Sequence, residues 1–411
     1  MAEQKRAPLK AAAASMRMVN PIRNTMDTIK MPQHHEKERI PLSIGDPTVF
    51  DNLKVHQFVN EQLHKAVDSY KWNGYVQSSG TAAARKAVAD KFTTKASPLN
   101  ENDVLLTSGC SGALDLCITA VANAGDNILI PKPGFSLYKT LCDNKGIECR
   151  YYNLLPEKNW EIDLEHLSSL IDSNTRAVLV NNPSNPCGSV WSEQHMLEIL
   201  EEVEKHSLVL ISDEVYFDMV FEPNRFISFG WISKNVPVLV TGGVAKRFLV
   251  PGWRLGWIIV HDRHELLSEI RVGMYKLTQL ILGPTTLIQA ILPDILHNTP
   301  QEFFEETDRQ LQEHAQLLME RIPDIEGLSI IKPGGAMYAM IQIHMDKFKD
   351  IKDDVDFTQK LLTEENVFVL PGSIFGAPNF VRVVICPAKE KLEEACDRIA
   401  AFCLRHSQLT N

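Results

Sequence analysis

Thr241-Gly242-Gly243-Val244-Ala245-Lys246-Arg247-Phe248-Leu249-Val250-Pro251-Gly252-Trp253-Arg254-Leu255-Gly256-Trp257 closes one of three short apolar runs in this 411-residue chain. A lysine set among small residues at the end of such a run faces a cleft partly stripped of water. There its neutral, nucleophilic form becomes accessible. Lys246 is such a residue and can condense with an aldehyde. Arg254, eight positions on, carries a fixed-charge fork suited to a phosphate. The pair reads as a Schiff-base lysine beside the anchor of a phosphorylated carbonyl cofactor, a description that pyridoxal 5'-phosphate fits.

The same design repeats upstream. Ala177-Val178-Leu179-Val180, Leu208-Val209-Leu210-Ile211 and Val238-Leu239-Val240 are apolar throughout rather than alternating, as parallel strands buried on both faces are. A helical face of Met196, Ile199, Leu200 and Val203 joins the first two runs. Each run ends in polar residues: Asn185, then Asp213 with Tyr216, then Lys246. Ligands bind outside the carboxyl ends of such strands, so these residues are expected to converge on one crevice. A carboxylate there keeps a pyridine nitrogen protonated and makes the ring an electron sink, the role expected of Asp213. Tyr216 and Asn185 are expected to hydrogen-bond the ring oxygen.

Val104-Leu105-Leu106-Thr107 reads as a further strand, and Ser108-Gly109-Cys110-Ser111-Gly112 leads from it into a helix with Leu114, Cys117, Ile118 and Val121 on its apolar face. The start of a helix offers free N–H groups and a positive dipole end to an anion. The Cys110 backbone and the Ser111 hydroxyl are the expected phosphate donors. The GxGxxG spacing is absent, which excludes a dinucleotide cradle.

Residues 246–257, read with Asn181-Asn182-Pro183-Ser184-Asn185-Pro186-Cys187-Gly188 and Ser212-Asp213-Glu214-Val215-Tyr216, closely resemble the aminotransferase branch of the fold-type I pyridoxal-phosphate enzymes. The likeness runs from about residue 20 to residue 406. It implies that Phe135 stacks on the cofactor ring and that Gly45 lets backbone approach the substrate. Without the likeness, Phe135 reads as core filler and Gly45 as a turn residue. Arg382 lies inside the apolar run Phe380-Val381-Arg382-Val383-Val384-Ile385, where an unpaired charge is costly. Its partner is either a structural carboxylate or a ligand, and the resemblance names the substrate α-carboxylate. The resemblance also implies a homodimer in which Tyr75 reaches the neighbour's cofactor phosphate.

The activity implied is ping-pong transamination of an aromatic amino acid, tyrosine or phenylalanine, with a keto acid such as 2-oxoglutarate. The alternatives are a pyridoxal-phosphate carbon–sulfur β-lyase, or an aminotransferase acting on alanine or kynurenine. Two departures from the family pattern matter. Gly243 and Ala245 stand where many relatives have hydroxyls, which moves phosphate contacts onto Ser111 and Tyr75. No arginine stands in Lys276-Leu277-Thr278-Gln279-Leu280, where the aspartate-using branch has one from the neighbouring subunit, and this leaves Lys276 as the candidate for a distal carboxylate.

The expected organisation is α/β. A disordered tail covers residues 1–19, and an N-terminal arm with part of the small domain covers 20–56. A large cofactor-binding domain with a mostly parallel central sheet flanked by helices covers 57–308, and a smaller α+β domain covers 309–411. A composition of 44% hydrophobic and 23% charged residues is that of a packed globule. A net charge of -10 excludes nucleic acid as the main partner, because phosphate backbones need a basic footprint. Eight cysteines without CxxC spacing indicate neither a metal site nor a disulfide framework and fit a reducing compartment. No apolar run reaches membrane-spanning length. Lys5, Arg6, Lys10 and Arg17 face Glu3 alone in the tail, as in a weak mitochondrial presequence, yet Pro8 interrupts any amphipathic helix. The expected location is cytoplasmic, with the mitochondrion as the alternative.

Overall fold

The computed structural model describes residues 9–408. After β1 (Ile40–Pro41) come β2 (Val104–Thr107), β3 (Asn127–Lys132), β4 (Glu148–Leu155), β5 (Glu161–Ile162), β6 (Thr175–Asn181), β7 (Val209–Asp213), β8 (Val238–Gly243) and β9 (Gly256–His261). The last eight form one sheet in the order β2-β9-β8-β7-β6-β3-β4-β5. Neighbours are parallel from β8 through to β4. They are antiparallel where β9 lies between β2 and β8 and where β5 closes the edge.

Successive side chains of a strand point to opposite faces, and both faces here are covered. Val178, Val180, Leu210, Val238 and Val240 join one core with helices Gln57–Asp68, Ala82–Phe92, Glu193–Lys205 and Thr286–Asn298. Ala177, Leu179, Ile211 and Leu239 join another with helices Gly109–Val121, Leu137–Lys145 and Ser268–Thr278. This two-sided burial is the reason the runs are apolar throughout. The helical face of Met196, Ile199, Leu200 and Val203 is buried as expected.

The second sheet contains β10 (Leu328–Ile330), β11 (Tyr338–Ile343), β13 (Leu370–Pro371) and β14 (Phe380–Val384), antiparallel in the order β10-β11-β14-β13, while β12 (Val367–Phe368) pairs in parallel with β1. Helices Asp354–Glu365 and Lys389–His406 pack on it. Helix Gln301–Arg321 links the two cores: Phe304 lies against the large one, and Leu311, Ala315 and Leu318 lie in the small one. The apolar run Val367-Phe368-Val369-Leu370 splits at Val369, because its two halves pair with different partners. Of the expected tail, residues 1–8 lie outside the described residues. Ala13–Arg17 forms a helical turn, and Arg17 donates to the Asn144 carbonyl at 3.1 Å. Among the described residues no helix is long and apolar enough to cross a membrane, and no cluster of His, Cys, Asp or Glu could hold a metal.

Glu214, directly after β7, is buried. One of its carboxylate oxygens accepts from Ser212 Oγ at 2.9 Å and Phe229 N at 3.0 Å, and the other has no partner. Burial pushes this carboxyl up to about 8. The folded chain therefore keeps a proton that the unfolded chain releases near 4.5, and stability falls as pH rises from about 4.5 to about 8. Glu214→Gln should flatten the fall in melting temperature across that window; an unaltered slope would show that this carboxyl is not its source.

Candidate active site

The carboxyl ends of β6, β7 and β8 meet the arm and β14 around a cavity of about 470 Å³. Gly45, Cys110, Ser111, Phe135, Asn185, Asp213, Tyr216, Lys246, Arg254 and Arg382 all line it. Residues from 45 to 382 are thus brought to one place by sheet topology, which sequence order does not display. Tyr75 is the exception: it is 90% exposed and lines no part of this cavity. Lys276 is also exposed and outside it.

Lys246 follows β8 and is half-buried. Its Nζ donates to the Gly45 carbonyl at 2.6 Å and stands 5.9 Å from the centre of the Tyr216 ring. Gly45 is required by close approach, since a Cβ there would meet Tyr338 Oη at 2.8 Å. The amine therefore sits in the cavity beside backbone rather than in bulk water.

One end of the cavity is built for an anion. Helix Gly109–Val121 starts without a side-chain cap, so its first N–H groups lack intrahelical partners. Gly109 has φ +70°, and a Cβ on it would meet Arg254 Nη2 at 2.5 Å. Only glycine lets the guanidinium lie so close to the helix start. Arg254 is held there by bonds from Nη1 to the Pro251 carbonyl at 2.9 Å and from Nη2 to the Ser108 carbonyl at 3.4 Å. Ser111 is exposed beside it, with its hydroxyl available.

Asp213 ends β7 and is buried. Burial raises its carboxyl, and the hydrogen bond from Tyr138 opposes that rise most strongly. Phe135 is half-buried and meets Tyr138 edge-on at 5.8 Å. Tyr216 shares a 2.8 Å hydrogen bond with Tyr338, and burial holds its phenol well above the ordinary range. Asn185 is positioned by Asn181, whose Oδ1 accepts from the Asn185 N–H at 2.7 Å.

At the other end Arg382 is 3% exposed. Nη1 donates to Asn185 Oδ1 at 2.9 Å and Nη2 to the Ser43 carbonyl at 2.7 Å, while Nε has no partner. Its guanidinium lies over the rings of Tyr338 at 4.5 Å and Phe375 at 4.9 Å. Burial depresses its affinity for its proton. No carboxylate pairs with it among the described residues, so the structural ion pair weighed as an alternative is not what holds it. A buried cation satisfied only by neutral acceptors is prepared for an anionic ligand.

Tyr138, Asn181 and Tyr338, which also line the cavity, were missed as site residues by sequence reasoning. Tyr138, at the start of helix Leu137–Lys145, stands three positions after Phe135, and that spacing was the available signal. Tyr338 lies between the lysine stretch that ends at Trp257 and the run that holds Arg382, and no local pattern marks it. Ile22 and Met26, from helix Pro21–Met26, add an apolar wall with Ile44 and Leu370.

The donor set suits pyridoxal 5'-phosphate. An uncapped helix start and Arg254 suit the phosphate, Asp213 the ring nitrogen, Tyr216 and Asn185 the ring oxygen, and Lys246 the carbonyl carbon. Comparisons with known proteins agree. The family model described as aminotransferase class I and II matches residues 37–399. The chain is 49% identical to tyrosine aminotransferase of Mus musculus over 393 residues, 95% of this chain and 87% of that one. It is 36% identical to an S-alkyl-thiohydroximate lyase of Arabidopsis thaliana over 91% of this chain and 82% of that one. The crystal structure of tyrosine aminotransferase from Leishmania infantum superposes with a TM-score of 0.94 at 40% identity, covering 98% of this chain and all of the other. With the cavity, its donor set and these likenesses in agreement, the chain belongs to the class I and II aminotransferases, which use pyridoxal 5'-phosphate.

Proposed function

We propose that this chain transaminates tyrosine and phenylalanine with a keto acid such as 2-oxoglutarate. The observation that carries the reading is the set of cations lining the cavity: Lys246, Arg254 and Arg382. With Lys246 assigned to the carbonyl, Arg254 to the phosphate and Arg382 to the α-carboxylate, none of these remains for an aspartate side chain, and the longer 2-oxoglutarate places its distal carboxylate beyond this lining, where Lys276 from the neighbouring subunit is the candidate. An apolar wall of Ile22, Met26, Ile44 and Leu370 is left for an aromatic ring.

Pyridoxal 5'-phosphate, when bound, supplies the carbonyl that captures the amino group and the ring that draws electrons from the substrate α-carbon. Arg382, stiffened by Asn185 and the two aromatic rings, orients the α-carboxylate. Lys246 Nζ takes the proton from the α-carbon and delivers it to the cofactor side. Asp213 holds a proton at the ring nitrogen, and Tyr216 and Asn185 hydrogen-bond the ring oxygen. The apolar wall excludes water from the reacting carbon.

The active unit in this reading is a homodimer, with Tyr75 of each copy completing the other's phosphate site. Its 90% exposure in a single chain supports that assignment. A cytoplasmic location is supported by eight free cysteines.

Initial rates with each donor at a fixed, saturating keto acid test the substrate. Tyrosine or phenylalanine should exceed aspartate in kcat/KM by at least about tenfold, because a missing charge partner costs more than about 1.4 kcal/mol. Equal rates, or a preference for aspartate or alanine, would refute the aromatic donor and leave the family intact. A carbon–sulfur β-lyase is the second reading, favoured by the 36% identity to the Arabidopsis lyase. Ammonia and pyruvate released from a sulfur amino acid would support it, whereas a stoichiometric keto acid from tyrosine would support transamination.

A further inference from the structure

Asp213 is gripped by side chains that the mechanism above leaves without a task. Tyr138, on helix Leu137–Lys145, is 1% exposed and donates its phenol to Asp213 Oδ2 at 2.8 Å. The Cys110 thiol, in the first turn of Gly109–Val121, lies 3.4 Å from Oδ1 and 3.5 Å from Thr241 Oγ1. The Val215 N–H donates to the same Oδ1 at 3.3 Å. Tyr138 and Cys110 come from two different helices and Val215 from the turn that follows Asp213, so the carboxylate is fixed in orientation as well as bonded.

Taking a carboxylate out of water penalises its charged form. A neutral Asp213 could not offset the positive charge of a protonated ring nitrogen. Donors aimed at the carboxylate favour the ionised form, and a phenol at short range does so more strongly than a thiol. Tyr138 makes the shortest of the three bonds and is itself locked by burial, so it cannot turn away to another acceptor.

We propose that Tyr138 is a positioning residue for the cofactor's ring nitrogen: its phenol keeps Asp213 ionised and aimed into the cavity, with the Cys110 thiol as a weaker second support. The proposal rests on the reading that Asp213 pairs with that nitrogen. It accounts for a tyrosine buried with its hydroxyl spent on an acid, where a phenylalanine would fill the same space.

The test uses the apoprotein, full chain, titrated with pyridoxal 5'-phosphate and with a deaza analogue whose ring nitrogen is replaced by C–H. Tyr138→Phe keeps the ring and its packing and removes only the donor. It should weaken binding of pyridoxal 5'-phosphate by about tenfold or more and that of the deaza analogue by less than about twofold, since a hydrogen bond to a charged group is at stake only in the first case. Cys110→Ala should show the same selectivity with a smaller change. Equal weakening of both ligands by Tyr138→Phe would overturn the proposal, because a merely structural tyrosine affects both alike; so would unchanged binding of both. Asp213→Asn separates the underlying reading: if it fails to discriminate between the two ligands, Asp213 does not pair with the nitrogen. If it discriminates and Tyr138→Phe does not, only the role of Tyr138 falls.

Discussion

Lys246→Ala should leave a folded protein that binds pyridoxal 5'-phosphate reversibly and turns over at least about 10²-fold more slowly, the lower end of what a positioned general base contributes. The reasoning starts at the end of β8, where the side chain enters the cavity and donates to the Gly45 carbonyl at 2.6 Å. Among the described residues no other lysine lines that cavity, so no neighbouring amine stands ready to replace it. The purified wild-type protein should be yellow, and borohydride should fix the cofactor to a single peptide. Peptide mapping by mass spectrometry checks this. A label on any residue except Lys246, or none after reconstitution, would remove the central assignment. Melting temperature should change little on substitution, because the half-buried amine makes one backbone bond and no ion pair among the described residues.

Arg382→Ala and Arg254→Ala should produce opposite patterns. Arg382 is buried against Tyr338 and Phe375 with its Nε unsatisfied, and loss of the guanidinium removes the one buried cation that lines the cavity among the described residues. Turnover should fall by the loss of a charge-assisted pair, roughly 1.5–3 kcal/mol or more in transition-state binding, while cofactor affinity stays near that of the wild type. Arg254 lies against the uncapped helix start, so its removal should first weaken cofactor binding. Cofactor affinity by absorbance titration and kcat/KM at saturating cofactor separate the two. Normal turnover with lost cofactor in Arg382→Ala would show that the two arginine roles are exchanged.

The parallel strands were legible because burial on both faces removes every polar residue from a strand, and Leu208-Val209-Leu210-Ile211 carries that mark in any context. β4 was not, since its sequence Glu148-Cys149-Arg150-Tyr151-Tyr152-Asn153-Leu154-Leu155 mixes charge with apolar residues near the sheet edge. β9 escaped for another reason: Gly256 and Trp257 were read as the end of the lysine motif, and the strand that reverses direction between β2 and β8 has no local signature of its orientation. In the site, Lys246, Asp213 and Arg254 could be assigned from residue type and position after an apolar run. Tyr138 and Tyr338 could not, because a buried tyrosine has the sequence appearance of core.

The sequence by itself therefore determined the chemistry at the strand ends and the layered α/β architecture, because both follow from short-range pattern: continuous apolarity, a polar terminus, and a glycine-rich helix start. Only the tertiary structure decided which polar groups meet. Arg382 on β14 faces Asn185 across 197 positions of sequence, and Tyr138 reaches Asp213 across 75. Those pairings depend on sheet order and on how the second sheet lies against the first, and a hydrogen bond between such distant residues leaves no periodic trace in the chain that makes it.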